Sequence, residues 1–426
     1  MKNTLKIVNK AYDVTKEFQD LIDSLNTNET LYVYKGTYLV TNLFLKSNMT
    51  LKFEDGATLI SNTSGIYKNI YTRVAGINME FYAAVLNVID KENVKIIGKG
   101  IIDGKGEYFY NLYWGNDKKG GLRKEYDSKG IRFLADYDTN RVRNVLIQSS
   151  SNVEIEDIIS KDSGFWNIHI LYSNNIKVSK VVVDSPNENA PSTDGIDIDS
   201  SNNVLIENAS ITTNDDSIAI KSGRDADGIK TSIPSKNISI NNCTINKGFG
   251  ITIGSEVSGG IEDINISNIK YNNTDCGFRI KSSINRKGYI KNVNISNLSM
   301  NNVKYPIHIN LDWNPLYSTN KMPEGFKGEM RKHYYKIIEE VDSNIENTNI
   351  DNINIDNLVC NSKGIDSRAF DILGFKDQVI TNFNINNSIF NTKELGRLQS
   401  VDIKFNNVSL NIDLLNNKSL DEYDNR

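Results

Sequence analysis

The sequence contains little cysteine, no long apolar run and no strong excess of charge of one sign. Its three cysteines, Cys243, Cys276 and Cys360, are too few and too scattered for a disulfide framework or a zinc site. We expect them to be buried small apolar residues. No stretch reaches the roughly 18–20 apolar residues of a membrane span. The formal net charge of -4 over 426 residues gives no sign of a nucleic-acid-binding surface.

The N-terminal sequence lacks the features of a secretory signal. Residues 1–8 contain neither a long apolar run nor a small-residue cleavage site. The simplest expectation is a soluble cytoplasmic protein, with secretion as the alternative if a leader was removed. The hydrophobic fraction of 38% is low for a globular enzyme of this length, and Asn and Ser fill much of the difference. Repeat folds tolerate such a composition because each unit buries its apolar face against its neighbours.

A short phrase recurs along the chain, in which a polar residue precedes alternating aliphatic and polar residues. Copies begin at Asn152, Asn175, Asn203, Asn237, Asp263, Asn292, Asn352 and Asn382. Most successive copies lie roughly 23–34 residues apart, which is a solenoid period. The alternation is typical of strands, and stacked coils pair such strands in parallel at about 4.8 Å. The Asn-rich turns suit left-handed corners and side-chain ladders between coils.

These repeats predict an all-β fold, a right-handed single-stranded parallel β-helix, with a β-sandwich as the alternative. We expect one domain over residues 1–426, with an N-terminal cap region at 1–30. Residues 14–25 carry the amphipathic pattern of a capping helix. A long insertion at 312–344 and an aromatic-rich stretch at 67–82 are expected near the binding cleft, because solenoid insertions map to one face. The polar tail after Leu415 is expected to fray.

Four segments interrupt the repeat with acidic residues, basic residues and glycines. They are Ser192–Gly195, Asn214–Asp216 with Lys221–Arg224, Gly248–Gly250 with Gly254–Glu256, and Arg279–Lys281. Their separations of roughly 21–33 residues are about one coil each, so all four are expected to stack on one face. The sequence therefore predicts one site built from these segments.

The residue types in this predicted site suit hydrolysis of a glycosidic bond. One carboxylic acid must protonate the leaving oxygen while another carboxylate activates water or attacks the sugar. Neighbouring carboxylates such as Asp194, Asp215 and Asp216 repel, so one pKa rises and that group stays protonated. Arg279 and Lys281 are placed to bind a sugar carboxylate. A calcium site is the other interpretation of the three aspartates.

The same segments resemble glycoside hydrolase family 28, the polygalacturonases and their relatives that cut pectin. The motifs that carry the resemblance are Ser192-Thr193-Asp194, Asp215-Asp216, Gly248-Phe249-Gly250 and Arg279-Ile280-Lys281. The resemblance spans roughly residues 12–410 and extends to features of the bacterial exo-acting branch. It implies a reaction that inverts the anomeric centre and needs no metal or organic cofactor.

The resemblance also implies residue roles. Asp215 would be the general acid, Asp194 and Asp216 would activate the water, and Arg279 and Lys281 would bind the uronate. The full set of expected substrate-binding residues is Arg279, Lys281, Lys221, Glu256, Phe249, Gly248, His308 and Trp313.

Two positions depart from the family motifs. Ser192 replaces an asparagine, and Phe249 replaces a histidine that is thought to tune the general acid and touch substrate. Of the three histidines, His169 is expected to be structural, His308 could line the site, and His333 lies in the long insertion. The lost histidine implies an altered substrate or weak activity.

We therefore expect a glycosidase that removes terminal galacturonic acid or a related sugar from pectin-like acidic oligosaccharides. An acidic-glycan-binding β-helix without hydrolysis is one alternative. A uronate lyase or epimerase on the same fold, with calcium or an arginine assisting a base, is the other. The expected partner is an acidic oligosaccharide or polysaccharide, with no nucleic acid and no membrane. The sequence does not predict the oligomeric state.

Overall fold

The computed structural model describes residues 4–5 and 12–414, so the predicted tail after Leu415 lies outside the described residues. The chain winds into a right-handed parallel β-helix, which confirms the predicted fold. In the described residues, no helix combines the length and apolar character that crossing a bilayer requires.

The strands are short in the first coils and long in the last ones. The strands of the first half, in chain order, are β1 (Thr4–Leu5), β2 (Glu29–Val33), β3 (Gly36–Val40), β4 (Leu43–Phe44), β5 (Met49–Phe53), β6 (Ala57–Ser61), β7 (Asn69–Val74), β8 (Ile77–Tyr82), β9 (Leu86–Ile89), β10 (Glu92–Gly98), β11 (Ile101–Asp103), β12 (Val145–Gln148), β13 (Ser151–Glu156), β14 (Ile159–Lys161), β15 (Ile168–Leu171), β16 (Asn174–Ser179), β17 (Val182–Asp184), β18 (Ile196–Asp199), β19 (Asn202–Glu207) and β20 (Ser210–Thr212). Those of the second half are β21 (Ile218–Lys221), β22 (Ser235–Asn241), β23 (Thr244–Lys247), β24 (Ile251–Ile253), β25 (Ile261–Asn272), β26 (Cys276–Lys281), β27 (Tyr289–Asn301), β28 (Tyr305–Asn310), β29 (Asn349–Asn361), β30 (Arg368–Leu373), β31 (Ile380–Gln399) and β32 (Val401–Leu414).

The helices lie outside the coils. They are α1 (Thr15–Ser24), α2 (Gly106–Trp114), α3 (Gly121–Ser128), α4 (Ala135–Asp138), α5 (Asp225–Thr231), α6 (Pro315–Ser318) and α7 (Lys332–Ile337), with a 3-10 turn at Arg132–Leu134. Helix α1 is the predicted N-terminal cap, and it buries Phe18 and Ile22 against the first coil.

Three rows of parallel strands form the sides of the solenoid. One row runs from β2 through β5, β10, β13, β16 and β19 to β22, and a second runs from β3 through β6, β11, β14, β17 and β20 to β23. From β25 onward single long strands serve both of these rows. The third row contains β9, β12, β15, β18, β21, β24, β26, β28 and β30. This third row carries the candidate site.

The inward aliphatic residues stack on one another in register. One such column contains Val94, Val153, Ile176, Val204, Ile238, Ile264, Val293, Ile353 and Phe383. Each is almost completely buried, so neighbouring coils supply the apolar contacts that one short strand cannot make alone. One continuous apolar core runs from Val14 to Phe390. The three cysteines are free and buried, as the sequence predicted.

The recurring asparagines form the predicted ladder at the corners. Asn93, Asn152, Asn175 and Asn203 all have φ between 53° and 57°, the left-handed region that Asn tolerates better than most residues. Each donates from its side-chain amide to the asparagine of the preceding coil. The Nδ2–Oδ1 distances are 2.8 Å to Asn48 and then 3.2, 3.2 and 3.1 Å. The turns therefore account for part of the asparagine content.

Three segments leave the coils and cover the face of the third row. Residues 69–82 form an antiparallel hairpin of β7 and β8. Residues 106–138 contain α2, α3, the 3-10 turn and α4, and residues 312–344 contain α6 and α7. The sequence indicated the first and third of these segments but not the helices of 106–138. We call these three segments the wall segments.

Candidate active site

The three aspartates lie at the starts of adjacent third-row strands. Asp194 precedes β18, and Asp215 and Asp216 precede β21. The backbone N–H of Gly195 donates to the carbonyl of Asp216 at 2.9 Å, which fixes the two segments side by side. One oxygen from each of the three carboxyl groups lies within 4.8 Å of the others. The aligned repeats therefore bring together acidic residues that are about 20 positions apart in the chain.

Glycine is required beneath Asp215. Gly248 has a φ of +121°, and a Cβ on it would lie 2.7 Å from the carbonyl oxygen of Asp215 and 2.5 Å from Oγ1 of Thr213. The N–H of Phe249 donates to the same Asp215 carbonyl at 3.1 Å. The close approach at Gly248 is thus made by the protein's own backbone. It fixes the position of the Asp215 backbone relative to the next coil.

Asp216 is held as a carboxylate by cations. Its Oδ2 accepts from Nζ of Lys281 at 2.6 Å, and its Oδ1 accepts from Nη1 of Arg279 at 3.3 Å and from Oγ1 of Thr252 at 2.7 Å. Burial alone raises the pKa of Asp216, but the charges of Lys281, Arg279 and Lys221 outweigh burial and hold the pKa at about 2. Asp216 is therefore charged at neutral pH.

Asp215 is the opposite case. Burial, followed by the charges of Asp194 and Asp216, raises the pKa of Asp215 to about 7. It is half-buried, whereas Asp216 is fully buried. Burial also raises the pKa of Asp194 above its ordinary value, against the opposing charge of Lys221. The site therefore combines one carboxyl that keeps its proton near neutral pH with one that does not.

Lys221 lies among carboxylates at the end of β21. Its Nζ is 3.2 Å from Oδ2 of Asp194, 3.5 Å from Oδ1 of Asp197 and 3.4 Å from Oε2 of Glu256. The ammonium also lies 5.0 Å from the ring centroid of Trp166. These contacts neutralise part of the carboxylate cluster and fix Asp194.

Arg279 is enclosed by aromatic rings and polar partners. Its guanidinium carbon lies 4.9 Å from the ring centroid of Phe249 and 4.9 Å from that of Trp313. Its Nε donates to Nδ1 of His308 at 3.1 Å. Lys281 also lies over Trp313, with its Nζ 5.0 Å from the ring centroid. The two cations are thereby held at one side of the aspartates.

A cavity of about 390 Å³ opens above these residues. Its lining includes the three aspartates, both cations, Lys221, Glu256 and Ser192. The aromatic residues of the lining are Tyr113, Trp114, Phe133, Tyr137, Phe165, Trp166, Phe249, Trp313 and Tyr317. Aromatic faces around a few polar groups are typical of a ligand site.

The wall segments bond to one another above the cavity. Nη2 of Arg132 donates to the hydroxyl of Tyr317 at 3.2 Å, and the hydroxyl of Tyr137 donates to the carbonyl of Ala75 at 2.9 Å. The side chain of Asp138 is almost completely buried, and its Oδ1 lies 2.8 Å from Nε2 of His333. These bonds join all three wall segments into one enclosure.

Most of the predicted residues meet at this cavity, and two do not line it. Asp194, Asp215, Asp216, Arg279, Lys281, Lys221, Glu256, Phe249 and Trp313 all line the cavity. Gly248 lies beneath Asp215, and His308 lies beside Arg279 in the next coil. Among the described lining residues, sequence reasoning missed Tyr113, Trp114, Phe133, Asp136 and Tyr137. The signal for most of them was the aromatic-rich interruption of the repeat at residues 106–138.

The other two histidines do not line the cavity. His169 is fully buried, with its ring edge-to-face on Trp166 at 4.7 Å and its Nε2 3.7 Å from Oδ2 of Asp199. Burial lowers the pKa of His169 to about 3. His333 bonds to Asp138 in the enclosure. Neither is placed to substitute for the histidine that the family motif has at the position of Phe249.

The donor set argues against calcium between the aspartates. Both oxygens of Asp216 already bond to Lys281, Arg279 or Thr252, and Asp194 pairs with Lys221. Calcium prefers six to eight oxygen ligands, and nearby ammonium and guanidinium groups repel a divalent cation. The three aspartates therefore fit an organic substrate better than a metal ion.

Comparison with known sequences identifies one family. The profile of glycosyl hydrolases family 28 matches residues 27–329. A probable polygalacturonase of Vitis vinifera is 29% identical over 286 residues, which is 64% of this chain and 54% of that protein. An exo-poly-alpha-D-galacturonosidase of Dickeya chrysanthemi is 29% identical over 299 residues, covering 63% of this chain and 49% of that protein. The chain thus spans about half the length of these curated relatives.

A solved structure is similar to this chain over more of its length than the sequence relatives are. An exopolygalacturonase of Thermotoga maritima superposes with a TM-score of 0.76 at 25% identity. The superposition covers 95% of this chain and 89% of that one.

Proposed function

Because this chain belongs to glycosyl hydrolases family 28, we propose that it hydrolyses the bond next to a terminal galacturonic acid, or a related uronic acid, in pectin-like oligosaccharides. The observation that carries the proposal is the contrast between Asp215 and Asp216. Adjacent in the chain, they have pKa values of about 7 and about 2. Glycosidases need one carboxyl that donates a proton and another that is charged.

Asp215 is the proposed general acid. Its raised pKa keeps the proton available for the leaving oxygen up to about neutral pH. Its half-buried carboxyl lies in the cavity lining, where a glycosidic oxygen can reach it. The packing of Gly248 under its backbone supports this role because it fixes the position of the acid.

Asp194 and Asp216 are proposed to activate the water. Asp216 is ionised, and Asp194 lies beside it on the neighbouring coil. In inverting enzymes the two carboxyl groups lie about 6.5–9.5 Å apart, and in retaining enzymes about 5–5.5 Å. The family likeness supports inversion; the 4.8 Å limit joins one selected oxygen of each carboxyl group and does not measure this separation. We propose inversion, and the anomer of the first product decides between them.

Arg279 and Lys281 are the proposed uronate-binding groups. Both line the cavity beside the aspartates, and both rest on Trp313. A guanidinium binds a carboxylate through paired hydrogen bonds, which an ammonium cannot match geometrically. A negatively charged substrate also gains from these cations where three carboxyl groups would otherwise repel it.

Removal of terminal residues is supported by the wall segments. They bond to each other over the third-row face and enclose the cavity on that side. A long polymer that passes through a site needs a groove open at both ends. An enclosed cavity suits the end of a chain, so we propose exo action.

Phe249 stands where family members carry a histidine, and the site compensates by packing. Its ring covers the Arg279 guanidinium, and it replaces a titratable group by an apolar surface. The raised pKa of Asp215 arises from burial and from Asp194 and Asp216, so it requires no histidine. We therefore propose that hydrolysis persists.

The test is hydrolysis of defined galacturonate oligomers by the wild type and by Asp215→Asn. We expect the wild type to release monosaccharide, and a proton NMR time course to show the inverted anomer first. Release of internal fragments would contradict exo action, and a retained anomer would contradict inversion. A product with the ultraviolet absorbance of a new double bond would identify a lyase. Binding without any product would identify an acidic-glycan-binding protein.

A further inference from the structure

Beyond the aspartates, a row of charged and imidazole side chains continues along the third row. Arg279, His308, Asp371 and Arg397 occupy the same register position in four successive coils. Parallel in-register strands place such side chains one above another at about 4.8 Å. The row begins at the cavity and extends toward the C-terminal coils.

Hydrogen bonding within this row fixes the protonation of His308. A guanidinium only donates, so Nδ1 of His308 must be the unprotonated acceptor of the Arg279 Nε–H at 3.1 Å. The ring proton then belongs on Nε2, which lies 3.5 Å from Oδ2 of Asp371. Burial, together with Arg279, Lys281 and Arg397, lowers the pKa of His308 to about 3. The imidazole is therefore neutral at neutral pH.

Asp371 is itself held in place. Its Oδ1 accepts from Nε of Arg397 at 3.1 Å and lies 3.1 Å from Nη2 of the same side chain. A carboxylate facing a histidine fixes the tautomer and the ring orientation. Asp371 and Arg397 thus hold His308 with its Nδ1 lone pair toward Arg279.

Arg279 has little freedom left once His308 is fixed. Nε bonds His308, Nη1 bonds Asp216, and the guanidinium carbon lies 4.9 Å from the ring centroids of both Phe249 and Trp313. Among the described residues, Nη2 has no recorded hydrogen bond, and Arg279 lines the cavity. The remaining donors are available to a ligand.

We propose that His308 is a positioning residue that orients Arg279 toward the substrate carboxylate, with Asp371 and Arg397 fixing the imidazole. The inference deepens the proposed function and rests on it for the identity of the acidic ligand. His308 does not touch substrate; it sets the angle of the guanidinium that does. Its effect should therefore depend on the carboxylate of the ligand.

The test compares His308→Leu with His308→Asn. The side-chain carbonyl introduced by the asparagine substitution can take the place of Nδ1 as an acceptor, whereas leucine offers no acceptor. We expect His308→Leu to raise KM for a galacturonate oligomer about tenfold with kcat within about twofold, since hydrogen bonds to charged groups are worth about that factor or more. His308→Asn should restore most of the affinity. KM for the carboxyl-reduced, neutral oligomer should be unchanged in both variants.

Asp371→Asn supplies a second variant, with Asp366→Asn as its control. Asp366 lies two residues before β30 but is exposed, and it pairs with Lys393 at 3.3 Å. We expect Asp371→Asn to raise KM for the acidic oligomer by about threefold, since a neutral amide orients the imidazole less strongly. Asp366→Asn should leave KM unchanged. Melting temperatures of all variants distinguish a loss of folding from a change in the orientation of Arg279.

Binding measured by calorimetry keeps this test separate from the hydrolysis test. The affinity of the galacturonate oligomer is measured in the Asp215→Asn background, where turnover does not matter. Weaker binding with His308→Leu, restored by His308→Asn, supports the positioning role even if the wild type hydrolyses nothing. Equal losses for acidic and neutral oligomers, or no loss, would overturn it.

Discussion

The asparagine ladder and the third row of strands both stack residues in register from coil to coil, but the ladder repeats one residue type and the third row does not. At the asparagine ladder, Asn93, Asn152, Asn175 and Asn203 repeat one residue, one backbone conformation and one hydrogen bond from coil to coil. In the third row, the equivalent column changes at every coil. Its members are Asn87, Leu146, His169, Asp197, Ala219, Thr252, Arg279, His308, Asp371 and Arg397.

The comparison separates stability from chemistry. The ladder gives each turn a residue that tolerates the left-handed conformation and a hydrogen bond to the neighbouring coil. Repeating the same residue therefore stabilises every turn in the same way. The third row places unlike groups about 4.8 Å apart, which is how three carboxyl groups and several cations come to line one cavity. Changes at the ladder should alter stability and leave activity intact, and changes in the third row should do the reverse.

The largest expected difference in kcat comes from the same Asp→Asn substitution made at the candidate site and at the asparagine ladder. Asp215→Asn removes the proposed proton donor and should lower kcat by about 10²–10⁴-fold. Asp263→Asn makes the same change at a ladder position, where Asp263 has φ 58° and accepts from Nδ2 of Asn292 at 2.9 Å. It should leave kcat unchanged. Steady-state kinetics on a galacturonate oligomer measure both. Equal losses of kcat in the two variants would contradict the assignment of activity to the third row and of stability to the ladder.

A smaller effect is expected from pH. The general acid must be protonated, and the pKa of Asp215 is about 7. The kcat/KM should therefore fall about tenfold per pH unit above that value, provided the acid titrates alone. Because its folded pKa is raised, Asp215 stabilises the fold below its ordinary pKa, and this stability is lost as pH rises toward about 7. Asp215→Asn should abolish that pH dependence of melting temperature, and the ladder variant Asp263→Asn should retain it.

The smallest effect is expected at the ladder itself. Asn175 has φ 57° and bonds Asn152 at 3.2 Å. Asn175→Ala should lower the free energy of unfolding by about 1–2 kcal/mol, the cost of a left-handed alanine. Asn175→Gly keeps the backbone conformation and loses only the side-chain bonds to Asn152 and Asn203, so it should cost less. Urea unfolding measures both, and kcat should be unchanged. Both variants lose the side-chain bonds, so a loss with glycine as large as the loss with alanine would contradict the stated cost of the left-handed conformation.

The sequence predicted the parts of this molecule that repeat. The spacing from Asn152 to Asn175 and Asn203 reveals the coil because in-register stacking requires a similar pattern in each turn. The same spacing predicts that Asp194 and Asp216 lie side by side, since each follows a third-row corner. Periodicity thus predicted both the fold and the aspartate cluster.

The remaining parts depend on contacts that have no period. The helices at residues 106–138 follow no coil pattern, and their place is set by distant bonds such as Arg132 to Tyr317. The pairing of Lys221 with Asp194 depends on side-chain rotamers. His308 was expected as a substrate contact; it does not line the cavity, and its Nδ1 accepts from Nε of Arg279. Sequence spacing fixes which coil a residue occupies, and only packing fixes what its side chain touches.

The bond between Asp138 and His333 has a consequence for the timing of synthesis. It joins residues 195 positions apart, whereas each coil needs only its immediate neighbours. At about 5–20 residues per second, roughly 10–40 s pass on the ribosome between the two residues. The growing chain can complete coils one after another while its cavity still lacks a wall. We therefore expect a nascent polypeptide of this protein to stack its first coils well before residues 312–344 are available to enclose the cavity.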